Sequence, residues 1–287
     1  MMARKFDTRP LSPALGAEII GLDITQPIDE ETIAELVQLW TDNIVLLFNK
    51  PDMTQEEQLR FAGCFGRLGE RPAPKSWRNE DYNKLDPVFM LVSNIRENGK
   101  PIGTLPDGEM MFHHDTIYKP QPHIGTLLYA IEVPSKGGNT KFNNLYKAYE
   151  ALPDHIKERV DGKTANHIYD YVTIASANRK NQAGELRENW THPVCITHPR
   201  SGRKALYVDR LMTARIDDLP EDESERILET MFDIAERPEH IYEHVWKPGD
   251  LLLWDNLCSA HARTDFSSEE RRLLRRCQIQ SDAVPAA

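Results

Sequence analysis

The sequence predicts a mainly β fold with flanking helices (α+β), in the form of a double-stranded β-helix, or jelly roll. Three observations predict it. From Val88 onward, short apolar runs alternate with Gly, Pro and Asn turns, which is typical of a domain built from many short strands. Apolar residues at helical spacing occur in only a few segments. No repeat or low-complexity linker divides the 287 residues, so we expect a single domain over residues 1–287.

The first quarter of the chain alternates strand and helix patterns. Residues 19–23 form a short apolar run closed by a turn, and residues 30–39 carry apolar side chains at helical spacing. Residues 44–48 are a continuous apolar run of strand length, which predicts a strand buried on both faces. Thr54 and Glu57 form a capping-box pattern, which predicts that a helix begins there and runs to about Cys64.

The remainder is predicted to be mostly strands. The strand-length runs are 88–93, 124–132, 140–142, 194–197, 205–208, 242–246, 251–254 and 274–280. Two helical patches interrupt them, one over 145–159 that is broken by Pro153 and one over 221–236 that begins after Pro220. Residues 166–191 are polar and lack periodicity. They are predicted to be either a surface loop or an active-site lid, and the lid is favoured because long loops in compact domains usually carry function.

Composition excludes several classes of protein. The formal net charge of −10 argues against binding to nucleic acid or to an anionic membrane, since both require a basic face. The four cysteines are scattered, which suits a reduced protein better than a disulfide scaffold. Neither an N-terminal apolar stretch nor a membrane-length apolar window is present. We therefore expect a cytoplasmic protein that binds small molecules.

The segment from Phe112 to Asp115 is the strongest candidate for chemistry. On an extended strand His113 and Asp115 point to the same face, whereas His114 points to the other. His261 follows the predicted strand 251–254, which a jelly roll would bring to the same mouth. Two imidazoles and one carboxylate are the ligands of non-heme Fe(II) oxygenases. A His-x-Asp triplet alone is weak evidence, because about one is expected by chance in such a chain.

A group of arginines follows His261. Arg272 and Arg276 are four residues apart on a predicted strand, hence on one face, with Leu274 between them. A run of this kind is often a solvated surface. If the pair points inward, however, it needs anions, because an unpaired buried charge is costly. Guanidinium groups bind carboxylates through two parallel hydrogen bonds. The pair therefore indicates a dicarboxylate cosubstrate and an acidic substrate.

These residues together resemble the taurine dioxygenase and 2,4-dichlorophenoxyacetate dioxygenase family of Fe(II)/2-oxoglutarate-dependent oxygenases. The resemblance covers nearly the whole chain. It is carried by residues 16–19, 21–23, 65–68, 112–115, 134–140, 198–204 and 254–256, followed by His261, Arg272 and Arg276. The order of these motifs, and the offsets of the two arginines from the distal histidine, are specific to that family.

The resemblance implies a site for iron and for a cosubstrate. His113, Asp115 and His261 would bind Fe(II). Thr140 and Arg272 would bind the distal carboxylate of 2-oxoglutarate, whose keto-acid end chelates the metal. The reaction would consume O2, release succinate and CO2, and oxidise a C–H bond of the substrate.

The resemblance also implies the surroundings of the prime substrate. Trp254 would form a wall of the iron pocket, and Arg276 would lie near the acidic group of the substrate. Arg71 takes the place of a histidine that contacts the sulfonate in the taurine enzyme. This difference argues against taurine as the substrate but is consistent with another anionic substrate. A plain surface arginine is the alternative for Arg71. Asn94 is a further candidate for the substrate pocket.

Three hypotheses for function follow. The leading one is hydroxylation of an unactivated C–H bond in a small carboxylate or sulfonate. A variant uses the same cofactors to desaturate or otherwise oxidise an amino-acid-derived biosynthetic intermediate. The third is a jelly-roll binding protein without activity, which the complete ligand set and both arginines disfavour. By resemblance alone, a homodimer or homotetramer is also expected.

Overall fold

The computed structural model describes residues 5–70, 85–105, 108–170, 187–281 and 285–287. Helices in this part of the chain are α1 (Glu30–Asn43), α2 (Gln55–Gly63), α3 (Leu145–Glu150), α4 (Asp154–Val160) and α5 (Glu221–Ala235). Strands are β1 (Asp7–Pro10), β2 (Ala17–Ile20), β3 (Val45–Asn49), β4 (Met90–Ser93), β5 (Arg96–Glu97), β6 (Lys100–Pro101), β7 (Met110–His113), β8 (Gly125–Glu132), β9 (Thr140–Asn143), β10 (Thr164–Asp170), β11 (Arg187–Pro193), β12 (Cys195–Thr197), β13 (Lys204–Leu206), β14 (Thr213–Ile216), β15 (Ile241–His244), β16 (Asp250–Asp255), β17 (His261–Arg263) and β18 (Leu273–Ile279). The architecture is therefore mainly β with a few helices, as the sequence predicts.

The largest sheet has seven strands in the order β1-β2-β3-β16-β8-β18-β4. Its central strand β16 is buried along its whole length, and successive side chains point to opposite faces. Leu251 and Leu253 pack into one apolar cluster, whereas Leu252 and Trp254 pack into another. Both faces of the sheet are thus covered, which explains why the sequences of its strands are continuous apolar runs.

The second sheet has four strands in the order β15-β9-β17-β7. Phe142 on β9 and Ala262 on β17 join the same apolar cluster as Leu252 and Trp254 of the large sheet. The two sheets therefore pack against each other through one shared core. The cavity described below opens between them.

Helices α1 and α2 cover the other face of the large sheet. Leu36 and Trp40 of α1, and Phe61 of α2, pack with Leu253 in the second cluster. Helix α2 begins at the predicted capping box, in which the Thr54 side chain and the N3 residue satisfy each other's backbone N–H groups. These helices bury the side of the sheet that faces away from the cavity.

The predicted elements are confirmed to within a few residues, with one exception. The helical patch over 145–159 is broken at Pro153 into α3 and α4, as predicted. The prediction of an irregular segment over 166–191 is wrong at both ends of that segment, where β10 and β11 pair as antiparallel strands. Residues 171–186 lie outside the described residues, so a lid there stays a prediction. Among the described helices, none has both the length and the apolar character that crossing a membrane would require.

Candidate active site

The two predicted iron-binding histidines lie directly opposite each other on neighbouring strands. His113 ends β7 and His261 begins β17, and the antiparallel register pairs these residues. Their ring centroids are 4.2 Å apart. Asp115 follows β7, and the ligand atoms of the three residues all lie within 4.8 Å of one another. All three side chains are buried, so the structure brings together the residues that the sequence predicts.

The protonation of these residues suits a metal. The Nδ1 of His113 lies 3.0 Å from the carbonyl oxygen of Met111. Because a carbonyl only accepts, Nδ1 donates and Nε2 keeps the lone pair that a metal needs. Burial lowers the pKa of His113, and it lowers the pKa of His261 well below its ordinary value. Both imidazoles are therefore neutral, the form that binds metal.

Asp115 is held as a carboxylate. The Thr126 hydroxyl donates to its Oδ2 at 2.7 Å, and Nη1 of Arg276 donates to its Oδ1 at 2.9 Å. Burial opposes ionisation, but the charge of Arg276 and the hydrogen bond from Thr126 favour the carboxylate, and the pKa of Asp115 lies below its ordinary value. Thr126 on β8 and Arg276 on β18 belong to the large sheet, so that sheet orients the carboxylate between the two histidines.

The segment after β7 is fixed by one asparagine. Asn256 accepts from the backbone N–H of Asp115 at 2.8 Å and donates to the carbonyls of Asp115 and His123 at 2.8 and 2.9 Å. His114 points away from the site, as predicted, and its Nδ1 lies 3.0 Å from the buried carboxylate of Asp209. These contacts set the backbone that carries the ligands.

Arg272 is a buried cation that opens onto the same cavity. Its side chain is only 2% exposed, and its one side-chain hydrogen bond is to the Gly138 carbonyl at 3.3 Å. Its Nε and Nη1 have no hydrogen-bond partner among the described residues. Burial and, to a smaller extent, the charge of the neighbouring Arg263 lower the pKa of Arg272 to about 9. A guanidinium in this setting needs an anion.

Thr140 lines the same cavity as Arg272. The Trp246 indole N–H donates to the Thr140 hydroxyl oxygen at 2.9 Å, which leaves the hydroxyl proton available for a further acceptor. Thr140 and Arg272 thus present O–H and N–H donors to one cavity. A carboxylate is the group that accepts from both.

The cavity and its open mouth together hold about 990 Å³ of empty space, part of which is open to solvent. It joins the three metal-ligand candidates to the arginines and to a mainly apolar wall. The wall includes Met90, Val92, Leu105, Met110, Tyr118, Leu128, Tyr169, Leu211, Met212 and Trp254. The Tyr118 and Tyr169 rings are stacked with centroids 4.4 Å apart. The space therefore suits a molecule with an anionic group and an apolar body.

The remaining predicted residues differ in position. Trp254 lines the cavity and its ring centroid lies 4.8 Å from that of His261. Asn94 is not among the lining residues, since its amide accepts from the Arg272 backbone and donates to the Glu270 carbonyl. It supports the start of β18, and its predicted contact with substrate stays a prediction. Arg71 lies outside the described residues.

Two residues of the site were not identified from the sequence. Thr126 holds the Asp115 carboxylate, and Arg263 lines the cavity. Arg263 could have been found, because it lies two residues after His261 and so shares its strand face. Thr126 carries no such signal, because it lies on the seven-stranded sheet whereas Asp115 follows a strand of the four-stranded sheet, so only the packing of the two sheets brings them together.

A second group of metal-ligand types, His198, Asp255 and Cys258, is also close together. The Asp255 carboxylate already accepts from His198 at 3.0 Å and from Arg200. The arginine supplies the positive charge that a metal would bring. This cluster is a buried ion pair that anchors the turn after β16.

Fold and site together define a buried cluster of two histidines and one carboxylate between two β sheets that could hold a metal ion. The chain belongs to the family described as taurine catabolism dioxygenase TauD, TfdA family, whose model matches residues 7–278. It is therefore an Fe(II)- and 2-oxoglutarate-dependent dioxygenase, as the sequence predicts.

Relatives with several activities support this assignment. The chain is 32% identical to pentalenolactone F synthase of Streptomyces avermitilis, over 96% of this chain and 94% of that one. It is 31% identical to the (S)-phenoxypropionate/alpha-ketoglutarate-dioxygenase of Sphingobium herbicidovorans, over 98% and 97%. The crystal structure of AAD-2 in complex with Mn(II) and N-oxalylglycine superposes with a TM-score of 0.82 at 25% identity, covering 99% of this chain and 100% of that one. The named activities of these relatives differ, so family membership leaves the substrate open.

Proposed function

We propose that this enzyme hydroxylates an unactivated C–H bond of a small organic anion and releases succinate and CO2. One observation carries the proposal: the triad of His113, Asp115 and His261 shares a single cavity with the buried guanidinium of Arg272. A metal and a carboxylate can therefore be bound side by side, as 2-oxoglutarate requires. We propose that His113, Asp115 and His261 bind the metal and that Arg272 binds the carboxylate of the cosubstrate.

The residues that line the cavity fit Fe(II) and 2-oxoglutarate. His113, Asp115 and His261 would hold Fe(II), because their neutral imidazoles and ionised carboxylate match the ligands of non-heme iron. Thr140 and Arg272 would bind the distal carboxylate of 2-oxoglutarate. When bound, iron and 2-oxoglutarate supply the activation of O2 through oxidative decarboxylation of the cosubstrate.

The chain's own contribution is binding, orientation and exclusion of water. Thr126 holds one oxygen of Asp115, so the carboxylate keeps a defined orientation toward the two histidines. Trp254 would form a wall of the iron pocket, and with the other apolar side chains it keeps water from the reacting atoms. The cosubstrate and substrate are therefore held in an environment that favours oxidation of the bound C–H bond.

The proposed substrate has an anionic head and an apolar body. Arg276 lies at the metal site and lines the cavity, so its guanidinium would bind a carboxylate or sulfonate. Met90 and Val92 line the cavity on its β4 side, and the Tyr118–Tyr169 stack lines it elsewhere. Such walls favour an apolar chain or ring over a small polar molecule such as taurine. These contacts do not involve Arg71, so its predicted role stays a prediction.

We also propose that the seven-stranded and four-stranded sheets are the two halves of a double-stranded β-helix, within one domain that covers residues 1–287. The shared apolar core between the sheets supports this assignment. In this arrangement the ligands come from strands of the small sheet, and Thr126, Arg272 and Arg276 come from the large one.

The decisive experiment measures succinate from 2-oxoglutarate while sulfonates, aryloxyalkanoates and N-substituted amino acids are screened as substrates, with and without added Fe(II). We expect substrate-stimulated succinate that requires iron, and a hydroxylated product by mass spectrometry. His261→Ala should abolish turnover and iron binding, whereas His155→Ala, on the exposed surface of α4, should change neither. Unchanged turnover in His261→Ala would show that the ligand assignment is wrong.

A further inference from the structure

We propose that Thr116 is a positioning residue for the Asp115 carboxylate, because its hydroxyl, bonded to His123, holds the chain in a strained turn directly after β7. This inference rests on the proposed function, since Asp115 is one of the proposed metal ligands. It assigns a role to a residue that is neither a metal ligand nor a binder of the cosubstrate.

The backbone of Thr116 has an unusual conformation. Its φ is 57°, in the left-handed region that β-branched residues rarely adopt. Strain of this kind persists only where surrounding contacts over-determine it, and it concentrates at functional sites. Thr116 directly follows Asp115, and its carbonyl accepts from the backbone N–H of Lys119 at 2.9 Å. The strain therefore lies where the chain turns away from the three metal-ligand candidates.

The contacts of the Thr116 hydroxyl explain how this conformation is kept. The backbone N–H of His123 donates to the hydroxyl oxygen at 3.0 Å. The same oxygen lies 3.1 Å from Nδ1 of the His123 ring, and the two atoms share a second hydrogen bond. Both residues are buried, so water does not compete for these bonds. The hydroxyl thus closes the loop of residues 116–123.

The other end of this loop is anchored to the large sheet. His123 precedes β8, and the next residue, Ile124, donates its N–H to the carbonyl of Ile279 on β18 at 2.9 Å. The His123 ring also packs against Gly69, where a Cβ atom would lie only 2.7 Å from the ring Nε2. The N–H of Gly69 donates to the carbonyl of Gln278, also on β18, at 2.8 Å. The Thr116 hydroxyl therefore connects the ligand segment to a fixed part of the large sheet.

A change at Thr116 would be passed to Asp115. The chain is held before the turn, where His113 pairs with His261, and after it, where Ile124 joins β18. If Thr116 relaxed to an ordinary φ, the segment between these two points would have to move, and Asp115 lies within it. Such a shift would turn the Asp115 carboxylate away from the two histidines. We therefore expect the Thr116 hydroxyl to keep the three ligand side chains in register.

The competing explanation is that the hydroxyl only stabilises the fold. Closing a loop stabilises any protein, and loss of the two hydrogen bonds would then lower the free energy of unfolding without changing the site of the folded molecule. A positioning residue would also change the affinity of the folded protein for metal. Metal affinity and stability, measured separately, distinguish the two roles.

The test measures Mn(II) binding by calorimetry and the stability of the metal-free protein by urea denaturation. Thr116→Ser keeps the hydroxyl, whereas Thr116→Val keeps the shape but loses both bonds to His123. We expect Mn(II) affinity to fall by about 10-fold in Thr116→Val and to stay within about twofold of wild type in Thr116→Ser. Thr116→Gly removes the strain as well as the hydroxyl, so it should be more stable than Thr116→Val but bind Mn(II) as weakly.

Asp218→Gly is the matched control. Asp218 is exposed in the turn after β14 and has a φ of 59°, so this change relieves the same kind of strain away from the cavity. It should leave Mn(II) affinity at the wild-type value.

Reduced stability with wild-type Mn(II) affinity in Thr116→Val would overturn the inference, as would equal losses of affinity in the serine and valine variants. If Thr116→Val does not fold, Thr116→Gly decides, and wild-type affinity in that variant would refute the positioning role. Failure of the wild-type protein to bind Mn(II) would instead contradict the proposed metal site itself, and the inference with it.

Discussion

At the residue scale, the candidate metal centre depends on side chains that hold the ligands as much as on the ligands themselves. Asp115 illustrates this, because one of its oxygens accepts from Thr126 and the other from Arg276. A carboxylate without such partners would rotate freely and would present its oxygens to the metal in several orientations. Supporting hydrogen bonds of this kind typically change metal affinity by 10- to 100-fold, roughly.

Thr126→Val tests this support. Valine has the same shape but lacks the hydroxyl, so the apolar packing around β8 is preserved while the bond to Asp115 is lost. We expect the affinity for Fe(II) or Mn(II) to fall by about 10-fold, measured by calorimetry. Thr230→Val, on the exposed side of α5, is the matched control. Equal metal affinities in the two variants would show that Thr126 does not orient the ligand.

At the element scale, the site requires the turn after β16 to meet the segment after β7. Asn256 makes this connection through three hydrogen bonds to backbone groups of Asp115 and His123. One backbone hydrogen bond, from the Asn256 N–H to the Ile124 carbonyl at 2.9 Å, also joins them. The asparagine side chain therefore adds to backbone pairing where the chain leaves the sheets.

Asn256→Ala should damage both stability and metal binding. It leaves one buried N–H and two buried carbonyls without their partner, and each such group costs about 1–3 kcal/mol. We expect the free energy of unfolding to fall by roughly 3 kcal/mol or more, measured by urea denaturation, and metal affinity to fall in the fully folded protein. A variant as stable as wild type, with unchanged metal binding, would refute the connecting role.

At the scale of the whole molecule, the two faces of the large sheet have different roles, one in forming the cavity and one in packing against helices. One face meets the small sheet and the cavity, and the other meets α1 and α2. Neighbouring residues of β16 therefore belong to different surroundings. Leu253 packs under the helices, whereas Trp254 lines the cavity.

Leu253→Ala separates stability from ligand binding. Leu253 is fully buried on the helix side, so the substitution leaves a space there and should lower the free energy of unfolding by about 2–5 kcal/mol. We expect the KM for 2-oxoglutarate to stay within about twofold of wild type at temperatures where the variant is folded. Val245→Ala, at a site 63% exposed, should change neither quantity. A large rise in KM for Leu253→Ala would show that the two faces are coupled.

Prediction from sequence succeeded where the signal is local. The strand that carries Leu251 to Trp254, the capping box at Thr54 and the shared face of His113 and Asp115 all follow from spacing along one segment. It failed over 166–170 and 187–191, where polar strands pair with each other. Their alternation is weak because the stabilising contacts of a strand pair come partly from backbone hydrogen bonds, which no side-chain pattern reveals.

The sequence by itself determined the ligand types, the strand face that His113 and Asp115 share, and the need of the arginine pair for anions. Those features depend on side-chain chemistry and on the two-residue period of a strand. Tertiary structure alone decided that His113 and His261 are paired, that Thr126 holds Asp115, and that Arg263 lies beside Thr140 and Arg272. These contacts join residues far apart in the chain, and the register of the paired strands is set by the packing of the whole sheet rather than by any one segment.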